Sequence, residues 1–595
     1  MDKESGKIFR IGYIVVVVFL ILITRLWQLQ ILQGNKYREL SESNRLRVIS
    51  IPAPRGILLD RNGFPLVRNS SYFCASIIFG EFNKSKIHLL SKILNVPAEE
   101  LLYKINREKF GPINPIRLKE GLSFNEVAYI EARKSDFPGL IIETEASREY
   151  IYGSIGSHLI GYLGKLNPSQ SKDPSFRDVP LNAFIGQWGA EMLFDKSLRG
   201  IPGEKVIEVD SLGREIRLLK EKNPVKGEDT RLTLDINLQK EAEEAFAERP
   251  GALVAIKPDT GEILGLVSRP SFDPNHFAKG VLYEEWTALT QDKNKPLLNR
   301  ALQSQYPPGS TFKIIMAIAA LEEGVITPET KVECRGGMNY GRWHFGCWRK
   351  QGHGVISLHR ALVESCDVYF YEVGKRLGID KIYDYASSFG LGKETGFKLV
   401  NERRGIIPNT KWKEENKKQP WYPGETLNTA IGQGYVAATP IQMAVMMSAV
   451  ANGGNLYRPT LITETIPVLS GKIKARHETL EIVKRALFGV VNEPGGTGWA
   501  AKSNLASICG KTGTAQVVAM RGISQNQSEK FRDHAWFVAF APMENPEISL
   551  SVFVEHGGHG GATAAPIAKK AIEGYLKNSK VVHQQQNVTN RSQTD

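Results

Sequence analysis

The chain has 595 residues, which is too long for one ordinary domain, so about two to four domains are expected. Hydrophobic residues make up 42% of it and charged residues 23%, proportions that exclude an intrinsically disordered protein. The formal net charge of +13 would suit an anionic partner, but the basic residues are spread along the chain and no nucleic-acid-binding module is recognisable. A basic solvated surface is therefore favoured, and no nucleic-acid partner is expected.

The first predicted element is a membrane-spanning helix at residues 11–32. Its first half is wholly apolar or small, and the remainder continues through Leu26 and Leu29, with Arg25 able to reach the lipid–water boundary. The stretch is longer than the apolar part of a signal peptide, and no small-residue cleavage site follows it. We therefore expect an uncleaved single-pass anchor preceded by a short cytoplasmic tail, 1–10. Basic residues flank both ends of the span, so charge alone does not set its orientation.

Residues 33–230 are predicted to form a strand-rich, non-catalytic pedestal domain. Asn62-Gly63 lies between apolar stretches and is a strong signal for a tight turn. Further on, several glycines are interleaved with Arg148, His158 and Glu191, a pattern typical of a salt-bridged structural corner. No Ser-Lys pair or metal-ligand constellation is visible in this region, so it is interpreted as a spacer or docking module.

A second domain is predicted from residue 231 to residue 578. Asp235 is a candidate N-cap at the start of its first helix. Short apolar runs predict strands and helices of this domain: strands at 252–256, 263–267, 536–540 and 548–554, and helices at 312–321 and 441–450. The last segment, 579–595, is polar and rich in Gln and Asn, so a disordered tail is expected.

Ser310 and Lys313 form the first chemical motif. A Pro-Pro-Gly sequence ends the preceding chain and an apolar run begins at Phe312, which predicts Ser310 in the first turn of a buried helix. Free backbone N–H groups and the positive end of the helix favour a developing anion there. Lys313 lies one helical turn later, and a desolvated lysine amine can take the proton of a serine. The competing interpretation is a capping serine followed by a surface lysine.

Two further strings follow along the chain, Ser365-Cys366-Asp367 and Lys511-Thr512-Gly513. Lys511 and Thr512, together with Thr514, are suited to hold a carboxylate by charge-assisted and hydroxyl hydrogen bonds. Gly513 leaves room for a substrate backbone beside the strand. The N–H groups of Thr514 and Ser310 are candidates for an oxyanion hole. Taken alone, the Lys-Thr-Gly string is explained equally well by a tight turn at a strand end.

With the three strings in this order, the chain resembles a class B penicillin-binding protein, and within that class the elongation-type penicillin-binding protein 2. The supporting strings are spread over nearly the whole chain: 52–56 (PAPRG), 60–63 (DRNG), 306–313 (YPPGSTFK), 431–434 (IGQG), 511–516 (KTGTAQ) and 534–538 (HAWFV). The resemblance implies an α+β multidomain fold with a single N-terminal transmembrane helix, the strand-rich pedestal and a C-terminal penicillin-binding/β-lactamase-like transpeptidase domain. In that domain an antiparallel sheet is flanked by helices.

The resemblance also implies a serine-type peptidoglycan DD-transpeptidase that acts in lateral cell-wall elongation and is a target of β-lactams. Ser310 attacks the carbonyl between the two terminal D-alanines of a stem peptide, and Lys313 accepts its proton. Ser365 relays a proton to the leaving D-alanine, while Lys511 and neighbouring groups bind the terminal carboxylate. The acyl group then passes to an amine of a neighbouring strand. The alternatives are a DD-carboxypeptidase or a catalytically weak β-lactam-binding scaffold.

The middle string departs from the pattern common in the wider class, which ends in Asn where this chain has Asp367. An Asp cannot donate an amide hydrogen bond, and it brings a negative charge close to Lys313. Elongation-type members resemble this chain in carrying Ser-x-Asp, so activity is expected while the proton path is left open.

A second candidate site is a structural zinc site. Its predicted ligands are three thiolates and one imidazole, the set that completes a tetrahedral zinc site: Cys334, Cys347, His353 and Cys366. A metal there would anchor the middle string from beneath. A disulfide between two of the cysteines is the alternative in an oxidising compartment, and His344 is a competing imidazole.

Partners and location follow from the resemblance. The expected partners are peptidoglycan stem peptides, the membrane and a polytopic glycan-polymerising glycosyltransferase of the elongation complex. The chain is expected to be anchored in the inner membrane with its bulk in the periplasm. Beyond the structural zinc, the acyl-transfer chemistry needs no cofactor.

Overall fold

The computed structural model describes residues 2–35, 37, 46–78, 82, 84–107, 115–177, 179, 183–209, 215–278, 280–281, 283–399, 401–462, 466–516 and 532–591. The chain divides into two compact units, the first comprising Met1–Gly56, Asn69–Ser147 and Arg199–Glu228, and the second Ile57–Arg68, Arg148–Leu198 and Asp229–Asp595. The boundary predicted near residue 230 coincides with the start of the last segment. Two earlier segments also belong to the second unit, which a linear inspection of composition does not reveal.

The first unit begins with a long apolar helix. It runs over Asp2–Trp27 and continues as a π-helical turn at Gln28–Leu32. The stretch Gly12–Leu32 has a mean hydropathy of 2.2, and none of it is buried against the rest of the described chain. Its length and composition are those of a membrane span. A buried core helix is excluded, because the apolar side chains are exposed.

The remainder of the first unit is rich in strands, as predicted. Its strands are Leu46–Ile51, Pro65–Ile78, Pro115–Leu122, Leu140–Tyr150, Gly203–Val209 and Glu215–Lys222, and its helices are Ile87–Leu94, Ala98–Arg107 and Phe124–Ala132. The strands Pro65–Ile78 and Leu140–Tyr150 extend by a few residues into the second unit.

The second unit is built on a five-stranded antiparallel sheet. Its strands are β1 (Gly251–Ile256), β2 (Ile263–Arg269), β3 (Cys509–Ala515), β4 (His534–Ala541) and β5 (Ile548–Val554). They pair in the order β2-β1-β5-β4-β3, so β3 is an edge strand. Every residue of β1 and β5 is buried, which explains why β1 appears in the sequence as a short apolar run and β5 as one interrupted only by Ser549 and Ser551.

Helices and short strands surround this sheet. The helices are Ser157–Ile160, Gly189–Leu193, Asp195–Leu198, Ile236–Phe246 (α1), Asn275–Ala278, Tyr283–Gln291, Arg300–Gln303, Lys313–Glu322 (α2), Leu358–Val363, Asp367–Leu377 (α3), Ile379–Ser388 (α4), Thr410–Lys417 (α5), Pro423–Ala430, Pro440–Ala451 (α6), His477–Asn492 and Gly560–Arg591 (α7). The outlying strands are Leu58–Leu59, Leu163–Lys165, Phe184–Gly186, Thr230–Arg231, Val332–Cys334, Gly337–Tyr340, Trp343–Gly346, Gly354–Ile356, Asn455–Tyr457 and Leu469–Lys472.

Side chains on the two faces of the sheet belong to two different cores. In β1, Ala252 and Val254 face the core that contains α2 and α6, whereas Leu253 and Ala255 face the core formed with α1 and α7. This alternation is the two-residue period of a strand. The sheet is therefore covered by helices on both faces, as the fold prediction required.

Local sequence signals account for the helix ends. Asp235 is the N-cap of α1, accepting hydrogen bonds from the N–H groups of Asn237 and Leu238 at 3.0 Å each, as predicted. Thr439 and Gln442 form a capping box at the start of α6, with Pro440 in the first turn.

The C-terminal helix runs past residue 578, where the second domain was predicted to end. α7 continues to Arg591. The expected disorder of residues 579–595 stays a prediction.

The predicted structural corner is present within the second unit. Arg148 Nε and Glu191 Oε1 form an ion pair of 2.7 Å in which both side chains are almost fully buried. Gly161 lies so close to the neighbouring chain that a Cβ atom there would stand 1.8 Å from the Trp188 carbonyl oxygen. These residues hold a tight packing corner together, in line with the structural interpretation.

Candidate active site

Ser310 lies in a 3-10 turn, Gly309–Phe312, directly before the buried helix α2. The prediction placed it in the first turn of that helix. Ser310 is half-buried, and its hydroxyl makes no hydrogen bond within the described residues. Every residue from Lys313 to Leu321 is buried, so the turn is attached to a core helix that is apolar on all sides.

The residues before Ser310 are fixed from several directions. The Tyr306 hydroxyl donates to the Glu555 carboxylate, which also binds Arg300 Nε at 3.0 Å. The Tyr306 ring stacks on Phe553 with 3.9 Å between the ring centroids. These contacts tie the turn to the C-terminal end of β5, so Ser310 is presented by a rigid support.

Two buried lysines meet at the Ser365 hydroxyl. Lys511 Nζ donates to Ser365 Oγ at 2.8 Å, and Lys313 Nζ lies 3.4 Å from the same oxygen. Lys313 Nζ also donates to the Ser365 carbonyl at 2.9 Å and forms an ion pair with Asp367 Oδ1 at 2.7 Å. Both lysine side chains are fully buried. The structure thus brings the three sequence motifs together through Ser365.

Ser365 has a backbone φ of +56°, a left-handed conformation that is unfavourable for a residue other than glycine. Its placement is held by the hydrogen bond from the Cys366 N–H to the Ala361 carbonyl at 2.9 Å and by the lysine contacts. The surrounding structure therefore imposes the geometry that points the Ser365 hydroxyl at both amines.

The Lys-Thr-Gly string lies on the edge strand β3, next to the Ser310 turn. A Cβ at Gly309 would stand 2.6 Å from the Thr514 carbonyl oxygen, and one at Gly513 would stand 2.8 Å from the Pro308 carbonyl oxygen. Glycine is required at both positions because the turn and the strand approach so closely. Gln433 Nε2 adds a hydrogen bond to the Thr514 carbonyl at 3.2 Å.

Electrostatics at this site favour an anion. The described residues in contact at the centre carry two lysines against one carboxylate, that of Asp367. Burial, and next the positive charge of Lys313, lower the pKa of Lys511 well below its usual value of 10.5, while Asp367 opposes the shift. A bound carboxylate would supply a second negative charge to balance the two lysines.

Two residues that hydrogen-bond to the site, Trp348 and Thr497, were not predicted from the sequence. Trp348 donates its backbone N–H to Asp367 Oδ2 at 2.9 Å and its indole N–H to the Ser365 carbonyl at 3.1 Å. Thr497 shares a hydrogen bond of 2.8 Å with the Thr512 hydroxyl. The available signal for Trp348 was its position directly after Cys347, one of the proposed metal ligands.

The four residues of the predicted metal site are clustered. One ligand atom from each of Cys334, Cys347, His353 and Cys366 lies within 4.8 Å of all the others. Cys334 Sγ is 3.5 Å and Cys347 Sγ is 3.6 Å from His353 Nδ1. All five cysteines are free thiols. The hydrogen bond from the Cys366 thiol, followed by that from His353, lowers the pKa of Cys347 against an opposing effect of burial.

His344, the competing imidazole, is not part of this cluster. It is exposed, and its Nδ1 lies 2.8 Å from Asn339 Oδ1. The cluster is continuous with the active site, because Cys366 separates Ser365 from Asp367 and Cys347 precedes Trp348.

Comparison with known proteins agrees with this geometry. Residues 251–573 match the penicillin binding protein transpeptidase domain, and residues 50–232 match the penicillin-binding protein dimerisation domain. The chain is 36% identical over 594 residues to the peptidoglycan D,D-transpeptidase MrdA of Acinetobacter baumannii, covering 97% of this chain and 88% of that relative.

Solved structures of penicillin-binding proteins are also similar to this chain. A complex between penicillin-binding protein 2 and MreC from Helicobacter pylori matches with a TM-score of 0.79 at 30% identity, covering 88% of this chain and 98% of that one. A structure described as the coordination of polymerization and crosslinking by a peptidoglycan synthase complex matches with a TM-score of 0.73 at 31% identity, covering 96% and 99%.

Because the matched domains and relatives extend over nearly the whole chain, the fold and the three-motif cleft are those of a serine acyltransferase of the penicillin-binding class. Within that class the chain belongs to the elongation-type penicillin-binding protein 2 family, the peptidoglycan D,D-transpeptidases, as the sequence resemblance implied.

Proposed function

We propose that this transpeptidase works through an acyl-serine intermediate on Ser310, with Ser365 and the two lysines moving the protons. The observation that carries the proposal is the contact of both lysine amines with the single Ser365 hydroxyl, at 2.8 Å for Lys511 and 3.4 Å for Lys313. A hydroxyl between two amines can pass a proton in either direction, which general acid–base catalysis needs in successive steps.

In the first step, Ser310 Oγ forms a bond with the carbonyl carbon of the penultimate D-alanine. Lys313 first passes a proton to Asp367 Oδ1, its ion-pair partner at 2.7 Å, and its neutral amine then takes the proton of Ser310. As the C–N bond breaks, the leaving D-alanine nitrogen takes a proton through Ser365. An amine of a second stem peptide then attacks the ester, loses a proton, and restores the Ser310 hydroxyl.

Substrate binding uses the edge strand. β3 has an open edge within the five-stranded sheet, so an extended stem peptide can lie along it by strand addition. Lys511 and Thr512 bind the terminal carboxylate, and Gly513 keeps the strand surface free of a side chain. The backbone N–H groups of Thr514 and Ser310 receive the oxyanion.

The lowered pKa of Lys511 predicts a pH dependence of acylation by a penicillin, which carries a carboxylate. In the window above that lowered pKa and below 10.5, free Lys511 is neutral, whereas a bound carboxylate favours its ammonium form. Binding therefore takes up a proton, and the second-order acylation rate should fall by up to about one log unit per pH unit across the window. Stopped-flow acylation against pH measures this.

The matched control is Lys502→Met, which removes an exposed lysine of the same unit and should leave the slope unchanged. Calorimetry in two buffers of different ionisation enthalpy should show uptake of a proton by the wild type. A flat pH profile across the window, with no proton uptake, would remove Lys511 from the carboxylate-binding role.

The cysteine–histidine cluster is proposed to hold a structural zinc ion. A tetrahedral site with Zn–S of about 2.3 Å and Zn–N of about 2.0–2.1 Å requires sulfur-to-nitrogen distances of about 3.5–3.6 Å. The Cys334 and Cys347 distances to His353 Nδ1 are 3.5 Å and 3.6 Å, which match this requirement, and all four ligand atoms lie within 4.8 Å of one another. The zinc would act only as a structural link between the four ligands, and it would fix the neighbouring residues Trp348 and Ser365 in place.

For the zinc site we expect one equivalent of zinc in protein purified without chelator, and a loss of it in Cys347→Ser. Zinc binding is worth about 10 kcal/mol or more in small structural sites, so losing even about 2 kcal/mol of it should lower the thermal midpoint of this large unit by about 2–3 °C. Elemental analysis and differential scanning fluorimetry measure both quantities. Cys74→Ser, at another buried cysteine, is the control. Metal-free protein lighter by two hydrogens would show a disulfide instead.

Location and partners complete the proposal. The span Gly12–Leu32 anchors the chain in the inner membrane, with its bulk in the periplasm where peptidoglycan is cross-linked. The two structural relatives, one bound to MreC and one from a peptidoglycan synthase complex, support an MreC-like protein and a polytopic glycosyltransferase as partners in lateral elongation. Protease added to spheroplasts should degrade the bulk of the chain, and resistance to it would contradict the orientation.

A further inference from the structure

A cavity of about 450 Å³ lies in the second unit, apart from the residues of the three motifs. Tyr383 and Ser387, four residues apart on α4, form one wall, and Trp412 and Glu415, three residues apart on α5, form another. The backbone around Ile406 closes the floor. The volume lies in the range of about 300–1,000 Å³ that is usual for small-ligand sites.

The polar groups of this cavity are largely uncommitted. Neither the Tyr383 hydroxyl nor the Ser387 hydroxyl makes a hydrogen bond to any residue that the structure describes. Glu415 has Lys411 as its ion-pair partner at 3.8 Å, a long contact in which both side chains are more than half exposed. Two aromatic faces and several free hydrogen-bonding groups therefore surround the same space.

The backbone at the floor of the cavity is already paired, so a peptide cannot bind there by adding a strand. Ile406 already exchanges two backbone hydrogen bonds with Ala437, at 2.7 Å and 2.9 Å. No open strand edge is left at that position for a peptide backbone. Lys393 and Lys411 also line the cavity beside Glu415, so its charge alone does not select the ligand. The aromatic side chains of Tyr383 and Trp412 favour a ligand ring with an apolar face, and the free hydroxyls favour hydroxyl or amide groups on the rim of that ring.

The cavity is linked to the active site by packing. The Trp412 ring packs against Tyr435 with 5.3 Å between the centroids. Two residues before Tyr435 lies Gln433, whose amide donates to the Thr514 carbonyl in β3. A polymer whose peptide branch lies along β3 therefore has a second contact point within the same unit.

We propose that this cavity is a subsite for an N-acetylated hexosamine unit of the glycan strand whose stem peptide occupies the active site. The inference rests on the peptidoglycan substrate of the family and deepens the proposed function by adding recognition of the sugar polymer. Trp412 and Tyr383 contact the sugar ring, and Glu415 accepts hydrogen bonds from its hydroxyl or amide groups.

The test uses the full-length protein in detergent micelles, titrated with chitotetraose, a β-1,4-linked oligomer of N-acetylglucosamine that carries no peptide. Isothermal calorimetry and saturation-transfer NMR should show saturable binding. Glu415→Gln should weaken it about tenfold, because a hydrogen bond to a charged acceptor is replaced by one to a neutral acceptor. Trp412→Ala should abolish it.

The chain offers a matched control for each variant. Glu414→Gln changes the neighbouring residue of α5, which is exposed and does not line the cavity, and Trp343→Ala removes an exposed tryptophan elsewhere in the unit. Both should bind chitotetraose as the wild type does. Glu415→Gln keeps the test valid if Trp412→Ala fails to fold.

Two results would overturn the proposal. One is the absence of saturable binding at millimolar chitotetraose in protein that penicillin acylates normally, which would leave the acyl-serine proposal standing. The other is binding that Glu415→Gln and Trp412→Ala leave unchanged. Failure of penicillin acylation in wild-type protein would instead count against the acyl-serine proposal and is read out separately.

Discussion

Replacing Ser310 with alanine is expected to abolish acylation by a fluorescent penicillin and formation of cross-linked stem peptides. Removal of a catalytic serine costs on the order of a 10,000-fold loss of rate or more, because no other group forms the covalent intermediate. Folding should be nearly unaffected, since Ser310 is half-buried and its hydroxyl has no hydrogen-bond partner in the described chain. In-gel fluorescence and intact mass, compared with thermal unfolding, measure both effects.

Ser175→Ala is the matched control for this experiment, because it removes an exposed serine hydroxyl from the same unit. It should be labelled as fast as the wild type. A stoichiometric penicillin adduct on folded Ser310→Ala would show that another residue is the nucleophile. A labelled wild type that forms no cross-links would favour a β-lactam-binding scaffold or a carboxypeptidase.

Much of the second unit could be predicted because its strands and core helices are short and almost wholly buried. β5 appears in the sequence as an apolar run interrupted only by Ser549 and Ser551, and the structure places the strand at those same residues, Ile548–Val554. Asp235 was identifiable as an N-cap because the capping signal is local. Features set by neighbours along the chain are those that a single sequence can reveal.

Contacts between distant residues could not be predicted in this way. The Lys313 amine binds Ser365 and Asp367, more than fifty residues further along the chain, and its position one turn after Ser310 does not reveal these partners. The role of Trp348 is invisible for the same reason, since its partners are brought to it only by folding. The division of the chain into interleaved units likewise depends on packing and leaves no mark in composition.

Two replacements of Asp367 are expected to destabilise the fold to different extents. Asp367→Ala removes both the charge and the bulk of the side chain, whereas Asp367→Asn removes only the charge. Both carboxylate oxygens are committed, Oδ1 to the Lys313 amine at 2.7 Å and Oδ2 to the Trp348 N–H at 2.9 Å. Asp367→Ala leaves the fully buried Lys313 without its counter-ion, which costs about 3–5 kcal/mol for a broken buried pair. The thermal midpoint should fall by roughly 3–7 °C, because this is a large unit and the shift per kcal/mol decreases with size.

Asp367→Asn keeps the size but presents an NH₂ group to one of two hydrogen-bond donors, Lys313 or Trp348. One of these contacts is lost, at a cost of about 1–3 kcal/mol, so this variant should lie between wild type and Asp367→Ala in its free energy of unfolding. Acylation by penicillin should fall about 100-fold or more in Asp367→Ala, because the Lys313 amine is no longer held in place, and by less in Asp367→Asn. Chemical denaturation and stopped-flow acylation give the two rankings.

Asp384→Ala, which removes an exposed carboxylate from α4, is the control and should match the wild type in both measurements. If Asp367→Asn proved as active as the wild type and equally stable, the amide would serve as well as the carboxylate, and the ion pair with Lys313 would have no role in catalysis. If instead the alanine variant lost activity while keeping its stability, Asp367 would act on the position of the Lys313 amine alone. The expected loss of both together follows from a single cause, because the carboxylate that neutralises Lys313 is also the group that joins it to Trp348.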